Sequence, residues 1–211
     1  MAHIPDGILS APVLIGGGLI AAGGIALALR RMDERMIPRA AILSAAFFAG
    51  SLIAVPVGPS SVHVLLAGLM GIMLGPVTFL AILIALLLQV LLFGFGGLTT
   101  LGVNTVNIAL PGVVFGMMLG PAIRSATRPI ARALLAGAVG ALSVLGTGGL
   151  VALSLRLSSP DFAPVASIVI ATYLPLAIGE ACITAAIVAF LARVQPDALE
   201  RDPTRLPQSG R

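Results

Sequence analysis

The chain has 211 residues, of which 58% are hydrophobic and only 9% charged, and its formal net charge is +4. A water-soluble surface takes roughly a quarter of its residues charged, so this composition excludes an ordinary soluble globule. All twelve basic residues are arginine, and no Asp, Glu, Lys or Arg occurs between Arg39 and Arg124. The solvent for such a stretch is lipid.

Apolar runs bounded by turn or charge signals predict an all-α, polytopic membrane protein of about seven transmembrane helices. In chain order these are 9–29, 40–57, 62–75, 76–95, 106–122, 133–154 and 166–193. Ala26-Leu27-Ala28 in the first run has the small-residue pattern of a signal-peptidase site. However, no positive charge precedes the run, Asp6 is negative, and Arg30 and Arg31 follow it. That polarity belongs to an anchor helix with its N-terminus outside, not to a cleaved leader. On the second helix Ala41, Ala45 and Ala49 recur at four-residue spacing and make a smooth stripe for another transmembrane helix. The third helix is the shortest, about 21 Å at 1.5 Å per residue, between turns at Gly58-Pro59 and Gly75-Pro76.

The glycine- and polar-rich segment 94–107 is predicted as an external loop that folds over a site, with Asn104 and Asn107 in it. Residues 1–193 read as a single transmembrane domain. Residues 194–211, with Pro196, Pro203 and Pro207, read as a polar, mostly unstructured cytoplasmic tail.

Arginine placement sets the expected orientation. Arg30, Arg31, Arg35 and Arg39 put the end of the first helix in the cytoplasm. Counting crossings onward brings Arg124, Arg128, Arg132 and the C-terminal arginines to the same side and leaves Arg156 alone outside. The chain therefore reads as N-out and C-in, with the basic residues serving topology rather than nucleic-acid binding.

Few residues can carry chemistry. His3 and His63 are the two histidines, and both are predicted on the outer side. A free α-amine, an intervening amide nitrogen and the His3 imidazole form adjacent chelate rings around a polarising ion. His63 can supply a fourth nitrogen. Nitrogen donors in a plane favour Ni²⁺ or Cu²⁺ among divalent first-row ions. The plainer alternative makes His3 a terminal residue without a role and His63 an interfacial polar group. Glu180, midway along the last apolar run, is expensive at that depth. It is either a buried hydrogen-bonding group that fixes packing or part of a relay or site. Cys182 has no cysteine partner and reads as a packing residue. Walker A, nucleophile-elbow and HExxH patterns are absent, so the chain is not expected to be an enzyme, and any ATP must be used by another chain.

The opening His3-Ile-Pro-Asp-Gly-Ile-Leu-Ser, the segment 92–104 and Ser61-Val62-His63 resemble the CbiM/NikM family. These are the substrate-binding (S) membrane components of energy-coupling-factor (ECF) transporters for cobalt and nickel, named for cobalt supply to cobalamin biosynthesis. The resemblance implies that Co²⁺ or Ni²⁺ is held by the terminal amine, the His3 amide, the His3 ring and the His63 ring. The family pattern has histidine directly after the first residue. Removal of Met1 makes Ala2 the amine donor and restores that pattern. Asn104 and Asn107 are candidate second-layer groups. By the same resemblance, Ala41, Ala45 and Ala49 face a transmembrane coupling (T) subunit, two cytoplasmic ATPases supply energy, and a small auxiliary membrane subunit accompanies them. The expected location is the bacterial cytoplasmic (inner) membrane. A self-sufficient carrier or channel using Glu180 as intramembrane relay is the competing expectation.

Overall fold

The structure, a computed structural model, describes residues 3–53, 55–57 and 60–199. Among these lie seven α-helices: α1 (Ala11–Arg31), α2 (Met36–Ser51), α3 (Ala67–Leu74), α4 (Thr78–Phe93), α5 (Leu101–Ser125), α6 (Pro129–Ser158) and α7 (Ala163–Val194). A short antiparallel hairpin, β1 (Val55–Val57) and β2 (Ser60–Val62), joins α2 to α3, with Val55 opposite Val62. The protein is all-α in its membrane part and multi-pass. Helices or helical stretches at Ala11–Arg31, Ala67–Phe93, Leu101–Ser125, Pro129–Ser158 and Ala171–Val194 are each long and apolar enough to cross a bilayer.

The stretch Ala67–Phe93 is two legs. At Gly75 the backbone takes φ 56, ψ −131, a conformation that glycine adopts without a Cβ clash, and a 3₁₀ turn over Gly75–Val77 follows. The legs run in opposite directions. Leu74 and Pro76 share a cavity with Arg31 and Met36 at one face of the bundle. From there α4 returns alongside α2, because Ser44 donates to the Ala81 carbonyl (2.8 Å) and Gln89 donates to Ser51 (2.5 Å). Arg132 donates to the Ala126 carbonyl, and Arg39 to the Asp197 carbonyl, at that same face. His3 lies at the opposite one, where α5 begins.

The core of the bundle is α3, every residue of which is buried. With lipid outside, helices associate through close packing and not through escape from water, so small residues line the contacts. Gly71 lies against the backbone of Gly112, and Gly116 against that of Gly71. Gly68 abuts Gly140, which in turn abuts the Glu180 carbonyl. Large apolar side chains such as Ile15, Leu19, Leu91 and Phe190 point outward, as lipid permits.

Several sequence-based boundaries are corrected. The second helix, expected to reach 57, stops at Ser51, and the third starts at Ala67 instead of 62. The run between them carries Val55, Val57 and Val62, β-branched residues that favour a strand, and Pro56, which opposes a helix and is tolerated in an edge strand. The expected loop 94–107 is helical from Leu101 onward. Its glycine and asparagines serve contacts, not a loop: Gly102 packs on the backbone of Gly17 and Gly18. Within the expected tail, Pro196–Leu199 form a 3₁₀ turn with Ala198 and Leu199 buried. Residues 200–211 lie outside the described residues.

Candidate metal site

The segment before α1 is tied to the start of α5 by its own side chains. The Asp6 carboxylate accepts from the N–H groups of Leu98 (3.1 Å), Thr99 (2.9 Å) and Thr100 (3.4 Å) and from the Thr99 hydroxyl (2.5 Å). It thus satisfies amides of the turn that leads into α5 and places a carboxylate at the helix start. The Thr99 hydroxyl chiefly, with the surrounding amides, holds the Asp6 carboxyl below its ordinary range. Asn104, one turn into α5, grips the residue after His3 at two points. Its Oδ1 accepts from the Ile4 N–H (3.0 Å) and its Nδ2 donates to the Ile4 carbonyl (3.0 Å). The Thr100 hydroxyl donates to that carbonyl as well (2.7 Å). Ile4 itself is buried with Leu9, Val103, Val151 and Leu155. The loop before α5 closes over the segment. Gly96, at φ +82, comes so near that a Cβ would stand 3.3 Å from that of His3.

His63 arrives from the other side, just after β2. Its ring is stacked on that of His3, with centroids 4.9 Å apart and planes 15° apart, and Phe47 meets it edge-on at 6.5 Å. Both histidines are buried, at 5% and 6% exposure. The His63 Nδ1 stands 3.1 Å from the Val64 carbonyl. A proton donated there leaves the Nε2 lone pair free, the arrangement seen when a backbone carbonyl orients a ligating histidine. Nε2 of His63 and both nitrogens of His3 are buried and have no hydrogen-bond partner among the described residues. Burial, then the neighbouring His63, lowers the His3 pKa to about 3, and burial also lowers that of His63. Both rings are therefore neutral near pH 7, the state in which imidazole binds a metal.

Two neutral imidazoles this close can each offer a nitrogen to one ion. Bonds of about 2 Å from one ion to a nitrogen of each ring span the observed separation. The rings are stacked, so their in-plane lone pairs lie in near-parallel planes, and a ring must turn about its Cβ–ring bond for both to meet one ion. No cluster of three or more His, Cys, Asp or Glu occurs among the described residues. Main-chain nitrogen and a terminal amine are the further donors expected here from the sequence. Ala2, the expected amine donor, lies outside the described residues.

The remaining candidates are distributed as follows. Asn104 reaches the segment carrying His3, whereas Asn107 accepts from Ser154 on α6 (3.4 Å) and lines a separate groove with Val13 and Gly17 of α1. Ala41, Ala45 and Ala49 are all exposed, so the stripe is not consumed by packing inside the chain. Glu180 is fully buried and bonded to backbone amides of Leu65 and Leu66. Cys182 is exposed on α7. The sequence reading missed Asp6, Thr99 and Thr100 as organisers. The residues are visible in the sequence, an acid three residues after His3 and a Thr-Thr pair ahead of an apolar helix, but nothing in it shows that the two segments meet.

Comparison with known proteins points the same way. The family model for CbiM, described as the cobalt uptake substrate-specific transmembrane region, matches residues 3–198. A putative metal transport protein of Haemophilus influenzae is 34% identical over 200 residues, covering 94% of this chain and 97% of that one. A cobalt transport protein CbiM of Sorangium cellulosum is 32% identical, covering 94% and 95%. A putative fused nickel transport protein NikMN of Archaeoglobus fulgidus is 30% identical, covering 94% and 68%. A crystal structure of a truncated transition metal transporter superposes with a TM-score of 0.72 at 23% identity, over 90% of this chain and 96% of that one, a likeness of fold. Fold, family model and relatives agree, and this chain belongs to the CbiM family of cobalt-uptake transmembrane proteins.

Proposed function

We propose that this chain is the substrate-capturing membrane subunit of an ATP-driven importer for Co²⁺ or Ni²⁺. The observation that carries the reading is the pair His3 and His63, buried side by side with free ring nitrogens. In this reading the Ala2 amine, the His3 amide nitrogen and the two rings hold the ion with four nitrogens. The His3 face looks out of the cell, and the arginine-bearing face looks into the cytoplasm. The exposed Ala41, Ala45 and Ala49 receive a transmembrane coupling subunit, and a groove of about 440 Å³ between α2 and α4 lies beside them. Two cytoplasmic ATPases drive the cycle, with a small auxiliary membrane chain alongside. The carrier alternative needs Glu180 as a relay; Oε1 of that carboxylate is engaged by backbone amides, while its Oε2 has no partner among the described residues.

The test is uptake of radioactive cobalt or nickel by cells carrying this chain with and without its coupling and ATPase partners. Uptake that needs the partners supports the reading. Equal uptake by the purified chain alone in liposomes defeats it.

Two further outcomes follow from the site. Because both imidazoles are already neutral, protons released on binding at pH 7 come from the amine and the amide, about two per ion. Calorimetry in buffers of different ionisation enthalpy counts them, and a count near zero contradicts amine–amide ligation. Asn104→Ala removes the grip on Ile4 while leaving every proposed ligand in place. It is expected to weaken Ni²⁺ binding about 10- to 100-fold, as loss of an orienting group does at other metal sites. Equilibrium dialysis against ⁶³Ni²⁺ measures it.

A further inference from the structure

The third leg of the bundle is helical for only part of its path. Residues 63–66 are non-helical, with His63, Leu65 and Leu66 buried, and α3 begins only at Ala67. Leu66 has φ 51, the one positive-φ residue other than glycine among the described residues. Such a conformation is strained for a branched side chain and persists only where its surroundings hold it.

The irregular stretch lies deep in the bundle. Ala67 touches Gly112, near the middle of α5, and Gly68 touches Gly140 of α6. At that depth no water serves an open backbone amide, so irregular backbone needs protein partners. Glu180, near the middle of α7, provides them. Its Oε1 accepts from the Leu65 N–H and, at 2.9 Å, from the Leu66 N–H. Two donors converge on one carboxylate oxygen at the start of α3, where a helix leaves amides without partners of its own. Packing alone does not call for a carboxylate here, since an apolar side chain of similar size is far cheaper at this depth. The same non-helical stretch begins with His63.

We propose that Glu180 is a positioning residue for metal capture: it anchors the inner end of residues 63–66, at Leu65 and Leu66, and thereby holds the His63 ring beside His3. Above, the stretch is fixed by the pairing of β2 with β1. Below, it is fixed by Glu180. The proposal rests on the reading of His63 as a metal ligand, and its test keeps the two apart.

The test compares Glu180→Gln and Glu180→Leu, each alone and combined with His63→Ala, in full-length protein whose N-terminal residue is known by mass. Ni²⁺ affinity and the ligand-field absorption of the bound ion are both read. Gln retains an oxygen acceptor for the two amides and is expected to stay within about threefold of the parent, whereas Leu is expected to lose about 10-fold or more. The spectrum of Ni²⁺ bound to Glu180→Leu should match that of His63→Ala, because both lose the same nitrogen. In the His63→Ala background, Glu180→Leu should add less than about twofold, the signature of two residues acting through one interaction. Full additivity overturns the proposal, as does an unchanged affinity in Glu180→Leu or an equal loss in Glu180→Gln. If Glu180→Leu does not fold, Glu180→Asp replaces it. The shortened carboxylate is expected to weaken binding by about 10-fold, again without addition to His63→Ala, and an unchanged affinity overturns the proposal. If His63→Ala itself leaves binding intact, the metal-site reading falls. Faster hydrogen exchange of the 63–66 amides in the tested Glu180 variant then still reports the anchor, and unchanged exchange removes it.

Discussion

Blocking the N-terminal amine, that of Ala2 once Met1 is removed, by acetylation or by a residue fused ahead of it, is expected to lower Ni²⁺ affinity by more than about 100-fold. His63→Ala should do the same. Loss of a group that merely orients a ligand costs roughly 10- to 100-fold, and loss of the ligand itself exceeds that. The two changes act on opposite sides of the pair. Acetylation removes the amine and leaves both rings in contact, while His63→Ala leaves the amine, amide and His3 ring with three nitrogens at most. Neither should unfold the protein. Ile4, Asp6 and Asn104 hold the N-terminal segment by contacts that begin beyond the modified amine. Isothermal titration with Ni²⁺ and Co²⁺, beside thermal unfolding of the same samples, separates the two effects. Full-strength binding after acetylation would remove the amine from the site, and binding unaffected by His63→Ala would remove the histidine pair.

Gly71→Val is expected to be the most damaging substitution away from the site. A Cβ at this position would run into the Gly112 carbonyl, and the neighbouring Gly116 is pressed against Gly71 in turn. Neither contact is with the end of a flexible side chain, so relief requires moving a helix. Overpacking of a close-packed interior ordinarily costs about 1–3 kcal/mol, and backbone-to-backbone overlap places this case at or above the upper end. α3 is buried on all sides, so it cannot shift outward into lipid. The expected result is a large drop in the unfolding temperature in detergent, or no folded protein. Gly23→Ala and Gly149→Ala, where a Cβ meets nothing within 4 Å, should be neutral or slightly stabilising through helix propensity. Equal loss in all three would show that glycine serves chain flexibility and not close approach.

The helical, multi-pass class of the protein was determined by the sequence itself, whereas of the seven expected transmembrane helices five stretches among the described residues are long and apolar enough to span. Hydropathy and charge report solvent directly: a run without charge from Arg39 to Arg124 is insoluble in water wherever it folds. The two histidines were visible as the only ones of their kind, and counting crossings put them on one side. Contacts between distant segments were not visible, because neither hydropathy nor periodicity records which polar group meets which. Asp6 carries no mark in the sequence of the amides of Leu98, Thr99 and Thr100 that it accepts from. Asn104 and Gly102 looked like loop residues, since polarity and glycine raise the same signal whether water or a neighbouring backbone is the partner. Glu180 stood out as costly, but only the tertiary structure showed the Leu65 and Leu66 amides that give it a role. Lipid leaves those amides no partner but another part of the chain. Tertiary packing therefore decided which residues organise the histidine pair.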